Sequence, residues 1–394
     1  MNVTLTDQIQ EQSFADTILQ QSDDISRRLD MLRIENFPPN ALKPLRRFTL
    51  SEAADFIGVS PSYLKKLHLQ GKGVEPFATP TGRRYYTATQ MNELRTMLER
   101  SPARRDGEKL QVISVVNFKG GSGKTTSSVH LAEYLALRGF RVLAVDLDPQ
   151  ASLTALFGIQ PEIDRNPSFY DALRYDERRV SITEAIRPTN FPGLDLVPAN
   201  LELQEYEYET PIAMHAKDSA AGRSFYTRIG MSLSEVDGNY DVVVIDCPPQ
   251  LGYLTLTALA ASTAVLITVH PQMLDIMSMS QFLLMLGEIL KSIEAAGVSV
   301  SLDWFRYLVT RYEPGDVPQQ EMVGLMQSMF ARQMLKHQMV KSTAISDAGL
   351  TKQSLYEVER SQFVSSTYDR ARESLDSVNA EIADLVLGAW GRSE

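Results

Sequence analysis

The sequence predicts an α/β protein built on a doubly wound, mostly parallel sheet, with a helical segment and a small basic module ahead of it. Two observations carry the prediction for the sheet. Short apolar runs recur along the chain, and a glycine-rich loop directly follows the first of them. Continuous apolar runs suit strands that are buried on both faces of a parallel sheet. We expect strands at residues 111–116, 141–145, 194–197, 241–245, 263–269 and 307–310.

The composition narrows the possible functions. The chain has 394 residues, a net charge of −10 and one cysteine, Cys247, which excludes an internal disulfide. The five histidines lack the short spacing of a zinc site. The first residues lack the layout of a secretory signal, and no run of about 18 apolar residues is present. We therefore expect a cytoplasmic protein without a membrane anchor.

The first 40 residues are predicted to form a helical extension. Apolar residues recur there at helical spacing on one face. The segment is otherwise polar, so that face either packs on its own chain or pairs with a second copy, and both alternatives stay open. The sequence Phe37-Pro38-Pro39-Asn40 should end the helix. The apolar residues are Phe14, Ile18, Ile25, Leu29 and Leu32.

The charge changes sign between residues 41 and 105, where the net charge is +7. Within this predicted domain, residues 50–57 read as a short helix and Gly58-Val59 as a turn. Ser60 then caps a second helix that has Pro61 at its first position. A helix, a turn and a basic helix form a helix-turn-helix, whose second helix can enter the major groove of DNA. The expected DNA contacts from this helix are Ser62, Lys65 and Lys66.

Residues 81–87 look like the tip of a β-hairpin beside that helix. Arg83 and Arg84 would meet the phosphate backbone, while the tyrosines that follow occupy strand positions. The module thus resembles the winged helix-turn-helix domains of the MerR-like kind. The alternative is an ordinary small helical domain with a solvated basic face.

The glycine-rich loop opens the predicted third domain, residues 106–394. Its sequence, KGGSGKTT at residues 119–126, follows a strand and precedes a helix. Such loops turn backbone N–H groups toward a phosphate, and the helix N-terminus adds partial positive charge. Because Phe118 stands where the usual P-loop motif has its first glycine, this is a deviant Walker A motif. The expected ATP-binding residues are Lys119, Gly120, Gly121, Ser122, Gly123, Lys124, Thr125 and Thr126.

Two carboxylates follow later strands. Asp148 comes after residues 141–145 and Asp246 after residues 241–245, and ligands bind at the carboxyl ends of strands in open α/β sheets. We expect Lys124 to reach the β- and γ-phosphates and Asp148 to orient the attacking water. Thr125, Asp148 and Asp246 are the expected Mg²⁺ ligands. No guanine-reading motif is present in the sequence, so the expected cofactors are ATP and Mg²⁺.

These motifs together resemble the ParA plasmid-partition ATPases of the long type, which carry an N-terminal DNA-binding domain, and most closely the RepA proteins of repABC plasmids. The resemblance covers nearly the whole chain. It rests on TLSEAADFIGVS (49–60), KGGSGKTT (119–126), LAVDLDPQASLT (143–154) and VVVIDCPPQLG (242–252).

The resemblance implies a homodimeric ATPase that is located on the nucleoid. It implies repression of the protein's own operon through the helix-turn-helix, nonspecific DNA binding when ATP is bound, and slow hydrolysis stimulated by a ParB-type (RepB) partner. It also implies that Lys119 reaches the partner subunit's nucleotide and takes part in catalysis with Lys124 and Asp148. Family members bind nonspecific DNA through a segment similar to residues 339–348, in which this chain keeps Lys341 but has Ala344 at an arginine position.

Three alternative functions can be compared by the residues that each would require. A nitrogenase-type iron protein needs more cysteines than this chain has. A MinD-like membrane ATPase would end in a basic amphipathic helix, whereas the helix predicted at residues 366–387 and the tail after it are not basic. A DNA-binding repressor in which ATP is only a structural ligand remains an alternative.

Overall fold

The computed structural model describes residues 13–36, 43–117, 119–159, 166–215, 225–295, 297 and 301–392. These residues belong to two compact units, residues 1–44 and residues 45–394. The expected helix end at residues 37–40 and the position of Phe118 lie outside the described residues.

The described residues of the first unit form the helix α1 (Phe14–Asn36), as the apolar spacing predicts. The side chains of Phe14, Ile18 and Ile25 on its predicted apolar face are exposed. The side chains of Leu29 and Leu32 lie outside the described residues. The predicted association of this helix stays a prediction.

The second unit begins with two helices that have the predicted bounds. These are α2 (Leu50–Ile57) and α3 (Pro61–Leu69), with Ser60 accepting a hydrogen bond from the Tyr63 N–H as the cap of α3. Thr49 and Glu52 form a capping box at the start of α2, which satisfies two backbone donors that would otherwise lack partners. The helices therefore begin where local sequence chemistry places them.

A small three-stranded antiparallel sheet packs against α2. Its strands are β1 (Phe48–Thr49), β2 (Phe77–Ala78) and β3 (Arg84–Tyr86), in the order β1-β3-β2. Strands β2 and β3 form the predicted hairpin, with Phe77 opposite Tyr85, and α4 (Ala88–Met97) follows. The side chains of Ser62, Lys65, Lys66 and Arg83 are exposed, and that of Arg84 is half-buried.

A seven-stranded sheet forms the centre of the second unit, in the order β10-β9-β4-β8-β5-β7-β6. All its neighbouring strands are parallel except β6, which runs antiparallel to β7 at one edge. The six predicted strands are present, while the short β6 was missed. The strands are β4 (Gln111–Val116), β5 (Val142–Asp146), β6 (Arg187–Pro188), β7 (Leu194–Val197), β8 (Val242–Asp246), β9 (Ala264–Val269) and β10 (Trp304–Val309).

Helices cover both faces of this sheet, as the predicted fold class requires. Alternate residues of β4 point to opposite cores: Ile113 and Val115 to one, Val112 and Val116 to the other. The helices are α5 (Lys124–Arg138), α6 (Ser152–Leu156), α7 (Phe169–Leu173), α8 (Ile182–Ala185), α9 (Leu203–His215), α10 (Arg228–Ser234), α11 (Tyr253–Ala261), α12 (Met273–Ala295), α13 (Val317–Phe330), α14 (Thr343–Leu350) and α15 (Ser365–Ala389).

The basic segment shares one of these cores with the sheet. Phe56 of α2 packs edge-on against Tyr134 of α5 and Tyr356, with ring centroids 5.9 and 6.4 Å apart. Arg95 of α4 is buried and donates to the carbonyl of Leu137 at the end of α5, 2.6 Å away. The segment is therefore attached to the helix that begins at the glycine-rich loop. The predicted domain boundary near residue 105 stays a prediction.

Helix α12 is long and apolar enough to cross a membrane by length and composition, with a hydropathy of 1.4. Core helices of soluble proteins can pass the same test. Met279, Phe282 and Leu286 of this helix are buried in the core on one face of the sheet. Only 22% of its apolar window is buried, but a single helix of this kind among the described residues is weak evidence for a membrane span.

Candidate active site

The glycine-rich loop lies at the carboxyl end of β4 and leads into α5. Gly121 and Gly123 adopt φ angles of 76° and 85°, which L-residues with side chains rarely adopt. A Cβ on Gly123 would also lie 3.2 Å from Cβ of Thr310. The Thr310 hydroxyl donates to the carbonyl of Ser122 over 2.7 Å, so the end of β10 helps to hold the loop in place.

Lys124 begins α5 and is almost fully buried, with 7% of its surface exposed. Burial lowers the pKa of its ammonium, although the charges of Asp246 and Asp148 oppose that effect. Its Nζ donates only to the Lys119 carbonyl, over 3.4 Å, among the described residues. A buried cation with one long hydrogen bond, at a helix N-terminus, is well suited to hold an anionic ligand.

Asp246 ends β8 directly beneath this loop. Its carboxylate accepts hydrogen bonds from the hydroxyls of Thr125, at 2.7 Å, and Ser128, at 2.9 Å. The side chain is fully buried, and burial raises the pKa of its carboxyl. The structure thus brings together two of the three predicted Mg²⁺ ligands, Thr125 and Asp246.

A second buried carboxylate, Asp146, ends the neighbouring strand β5. It accepts hydrogen bonds from the backbone N–H and the hydroxyl of Thr154, at 2.8 and 2.7 Å, and from the N–H of Asp148 at 3.1 Å. Burial, followed by the charge of Asp246, raises the pKa of its carboxyl. Asp146 therefore anchors both ends of the loop that carries Asp148.

These elements enclose a cavity of about 440 Å³ that is lined by Lys124, Thr125 and Asp148. The far wall comes from the segment before α14 and includes Lys341. Glycines and threonines of the P-loop also line the cavity. The expected site residues Gly120, Gly121, Gly123 and Thr126 also line this cavity.

Lys119 lines a neighbouring cavity of about 270 Å³. Other residues that line it are Asn117, Ser122, His270 and Arg311. The Lys119 ammonium forms an ion pair with Asp275 of α12. The same carboxylate lies 3.3 Å from Nδ1 of His270. In this structure Lys119 thus contacts an acidic side chain of its own chain.

Lys341 lies far along the chain from the basic segment at residues 41–105. Its exposed ammonium is paired with Glu313 over 2.9 Å, at the edge of the 440 Å³ cavity. Ala344, at the position where the family has an arginine, is buried and lies at the start of α14. Lys341 as a DNA contact therefore stays a prediction.

Sequence reasoning missed several residues at this site. Asp146 was visible in the motif at residues 143–154, but only its neighbour Asp148 was assigned a role. No sequence motif marks Arg311, which donates to the Gly121 carbonyl over 3.0 Å and has a φ of 52°. No sequence motif marks Asp275, because it lies 156 positions after Lys119 in the chain.

Comparison with known proteins agrees with this arrangement. A family model described as "AAA domain" (AAA_31) matches residues 110–296, which include both the P-loop and Asp246. A protein of Sinorhizobium fredii (strain NBRC 101917 / NGR234), provisionally named replication protein A, is 64% identical over 392 residues. That match covers 97% of this chain and 96% of the relative. The chain belongs to the ParA family of plasmid partition ATPases, in its RepA group.

A more distant relative and two solved structures are also similar to this chain. Protein SopA of Escherichia coli (strain K12) is 30% identical over 294 residues, covering 73% of this chain and 74% of SopA. A solved structure described as "Partition Protein" shares the fold of this ParA-family chain, with a TM-score of 0.62, 18% identity, and coverage of 95% and 99%. Cobyrinic acid a,c-diamide synthase from Mycobacterium smegmatis, solved with ADP and magnesium, is 26% identical at a TM-score of 0.54, with coverage of 72% and 97%.

The residues of this ParA-family site fit a magnesium nucleotide. Mg²⁺ prefers oxygen ligands and is held in such sites by one or two side chains together with the phosphates. Thr125 and Asp246 supply a hydroxyl and a carboxylate, and Asp148 lines the same cavity. Among the described residues there is no cluster of three His, Cys, Asp or Glu side chains that could bind a metal alone. That absence is compatible with an ion that arrives with its nucleotide.

Proposed function

We propose that this protein is a plasmid-partitioning ATPase that binds DNA nonspecifically as an ATP-bound homodimer and represses its own operon. As a member of the ParA family it uses ATP and Mg²⁺ and hydrolyses ATP. The observation that carries the proposal is the convergence of Lys124, Thr125, Asp148 and Asp246 at one edge of the sheet.

Each residue at the cavity has a distinct proposed role. Backbone N–H groups of residues 120–126 cradle the phosphates, and Lys124 neutralises the β- and γ-phosphates. Thr125 and Asp246, with Asp148, hold Mg²⁺, which neutralises charge on the phosphates when it is bound. Asp148 also orients the attacking water. The buried position of Lys124 strengthens these electrostatic interactions, because little solvent screens them.

Lys119 has a proposed role across a dimer interface, at the partner subunit's nucleotide. In this structure its ammonium is paired with Asp275, so that role requires the pair to separate. Lys119 is about half-exposed, whereas Asp275 is largely buried, so the lysine is the partner that can move into solvent. The binding of a nucleotide phosphate would replace the carboxylate as the partner of Lys119.

The basic segment at residues 41–105 is proposed to be a winged helix-turn-helix that binds operator DNA. Ser62, Lys65 and Lys66 are exposed on α3, and Arg83 is exposed at the tip of the hairpin. Contact of α3 with base edges, and of the hairpin with phosphates, would follow the usual geometry of this motif. Lys341 is proposed to contribute to nonspecific binding, which depends on local positive charge and not on the net charge of −10.

The proposed partner is a ParB-type (RepB) centromere-binding protein that stimulates hydrolysis. In this scheme the ATP-bound dimer covers the nucleoid in the cytoplasm, and hydrolysis releases it. The slow basal rate keeps the dimer on DNA until the partner arrives. Support comes from membership of the ParA family and from similarity to a relative named chromosome partitioning protein ParA, from Caulobacter vibrioides (strain NA1000 / CB15N).

The test is ATP hydrolysis by the purified protein, measured alone, with nonspecific DNA, with the partner encoded beside it, and with both. Slow hydrolysis that rises when both are added, and that is lost in Asp148→Ala, is the expected result. Asp55→Ala is a matched control, because Asp55 is an exposed aspartate on α2, outside the active-site cavity. ATP binding without hydrolysis under every condition would favour a repressor that only senses nucleotide.

A further inference from the structure

Helix α11 follows Asp246 by six residues and begins without a cap of its own. Its N-cap position is Gly252, which has no side chain to accept a hydrogen bond from the first backbone N–H groups. Unpartnered N–H groups at a helix start destabilise it unless another acceptor is supplied. Glu207 of α9, which is far away in sequence, supplies that acceptor.

The carboxylate of Glu207 accepts two backbone hydrogen bonds at the start of α11. Oε2 accepts from the N–H of Tyr253 at 2.8 Å, and Oε1 accepts from the N–H of Leu254 at 2.9 Å. A negative charge at a helix N-terminus is also favoured by the helix dipole. Glu207 thus performs from another helix the function that a local Ser or Asp usually performs.

Gly252 leaves the space in which this carboxylate lies. A Cβ built on Gly252 would lie 2.5 Å from Oε1 and 2.6 Å from Oε2 of Glu207, well inside van der Waals contact. The φ of Gly252 is −95°, a conformation that any residue can adopt. Close approach of Glu207, and not backbone conformation, is therefore the reason for a glycine here.

The contact lies beside the nucleotide cavity. Pro249, between Asp246 and Gly252, lines the same cavity as Asp148. A second cavity of about 200 Å³ is bounded by Asp148, Pro249 and Glu207 together. By holding the start of α11, Glu207 determines where the segment at residues 247–252 lies relative to the residue expected to orient water.

We propose that Glu207 is a positioning residue for ATP hydrolysis, acting through Gly252 and the start of α11. This inference rests on the proposed function, because it assigns a role in the reaction of the same site. Glu207 does not line the 440 Å³ cavity that holds Lys124 and Thr125. Its loss should therefore lower kcat more than it weakens ATP binding, because misplacement by about 1 Å can slow catalysis by up to about 100-fold.

The test compares kcat and ATP affinity in single and double variants. Glu207→Ala should lower kcat about tenfold or more and change ATP affinity by less than about twofold. Gly252→Ala should do the same, because its methyl group displaces the carboxylate. Since both changes remove one contact, the double variant should be no slower than either single one. Glu205→Ala, an exposed glutamate on the same helix, is the matched control and should retain the kcat of the unmodified protein.

A rescue variant separates positioning from general damage. In the Glu207→Ala background the space beside residue 252 is open, so Gly252→Ser can supply a local cap to α11. We expect this double variant to recover most of the lost kcat. Hydrogen exchange at the amides of residues 250–254 should rise in Glu207→Ala and fall again in the rescued protein, whether or not hydrolysis is measured.

Several results would overturn the inference. These are an unchanged kcat in Glu207→Ala, additive losses in the double alanine variant, no recovery with Gly252→Ser, or a parallel loss of ATP binding and thermal stability. If the unmodified protein did not hydrolyse ATP, the proposed function and the positioning role of Glu207 would both fail. Unchanged exchange at the amides of residues 250–254 would also overturn the inference, because it would show that Glu207 does not hold the start of α11, whatever the outcome for the proposed function.

Discussion

Glu52 offers a direct test of how the basic segment is held to the nucleotide-binding core. Its carboxylate accepts hydrogen bonds from Arg46, at 2.6 and 3.2 Å, and from the N–H of Thr49 at 2.9 Å. Arg46, with only 6% of its side chain exposed, also donates to the carbonyl of Tyr356 at 2.9 Å. The perturbation is Glu52→Gln, which keeps the shape of the side chain and removes its charge.

The expected loss of stability follows from the pKa of this carboxyl. Burial by itself raises the pKa of Glu52. The hydrogen bond and charge of Arg46 and the charge of Arg372 outweigh burial and lower this pKa to about 2. A shift from 4.5 corresponds to about 3 kcal/mol, and partial exposure of Glu52 reduces this to about 2 kcal/mol through solvent screening. Because the folded-state pKa is the lower one, this stabilisation is complete above about pH 5 and is lost as the pH falls toward 2.

Urea unfolding at pH 7, 4 and 3 measures this effect. At pH 7 we expect Glu52→Gln to lower the free energy of unfolding by about 2 kcal/mol. At pH 3 the difference from the unmodified protein should shrink to about 1 kcal/mol, because the unfolded-state carboxyl is then mostly protonated. Asp55→Asn is the control, since Asp55 is exposed on the same helix.

Two results would refute this reasoning. A loss at pH 7 equal to that of Asp55→Asn would mean that the Arg46 pair contributes nothing. A loss that stays constant from pH 7 to pH 3 would mean that packing, and not charge, is responsible.

Four further outcomes are expected at the site and at the basic segment. Lys124→Ala should abolish ATP binding in a fluorescent-nucleotide titration, and retained affinity would contradict the phosphate assignment. Arg83→Glu with Arg84→Glu should weaken operator binding in gel shifts at least about tenfold and leave hydrolysis unchanged; unaltered affinity would remove the hairpin from the interface. Lys119→Ala should bind ATP but lose partner-stimulated hydrolysis, and surviving stimulation would exclude its role across the dimer. Asp275→Asn frees the Lys119 ammonium and should strengthen ATP-dependent dimerisation in sedimentation velocity; unchanged dimerisation would show that the ion pair does not restrain it.

Much of the fold follows from local sequence signals. Apolar runs predict the strands of the central sheet because a strand buried on both faces needs an apolar side chain at nearly every position. Ser60 and Pro61 predict the start of α3, and the spacing of glycines predicts the loop before Lys124, because capping and backbone conformation depend on residues close in sequence. Asp148 and Asp246 could be placed near that loop, since parallel strands end at the same edge of a sheet.

The tertiary structure alone decided which distant side chains meet. The hydrogen bond from Arg46 to Tyr356 spans 310 residues of sequence, and the ion pair of Lys119 with Asp275 spans 156. The contact of Glu207 with the start of α11 likewise left no recognisable motif, and the motif that contains Asp146 did not show its contact with Thr154. Such contacts depend on how helices pack against the sheet, and a carboxylate bonded to a backbone N–H from another element leaves no fixed spacing in the sequence. The sequence therefore determined the class of chemistry and the edge of the sheet where it occurs, while packing determined which residues hold that chemistry in place.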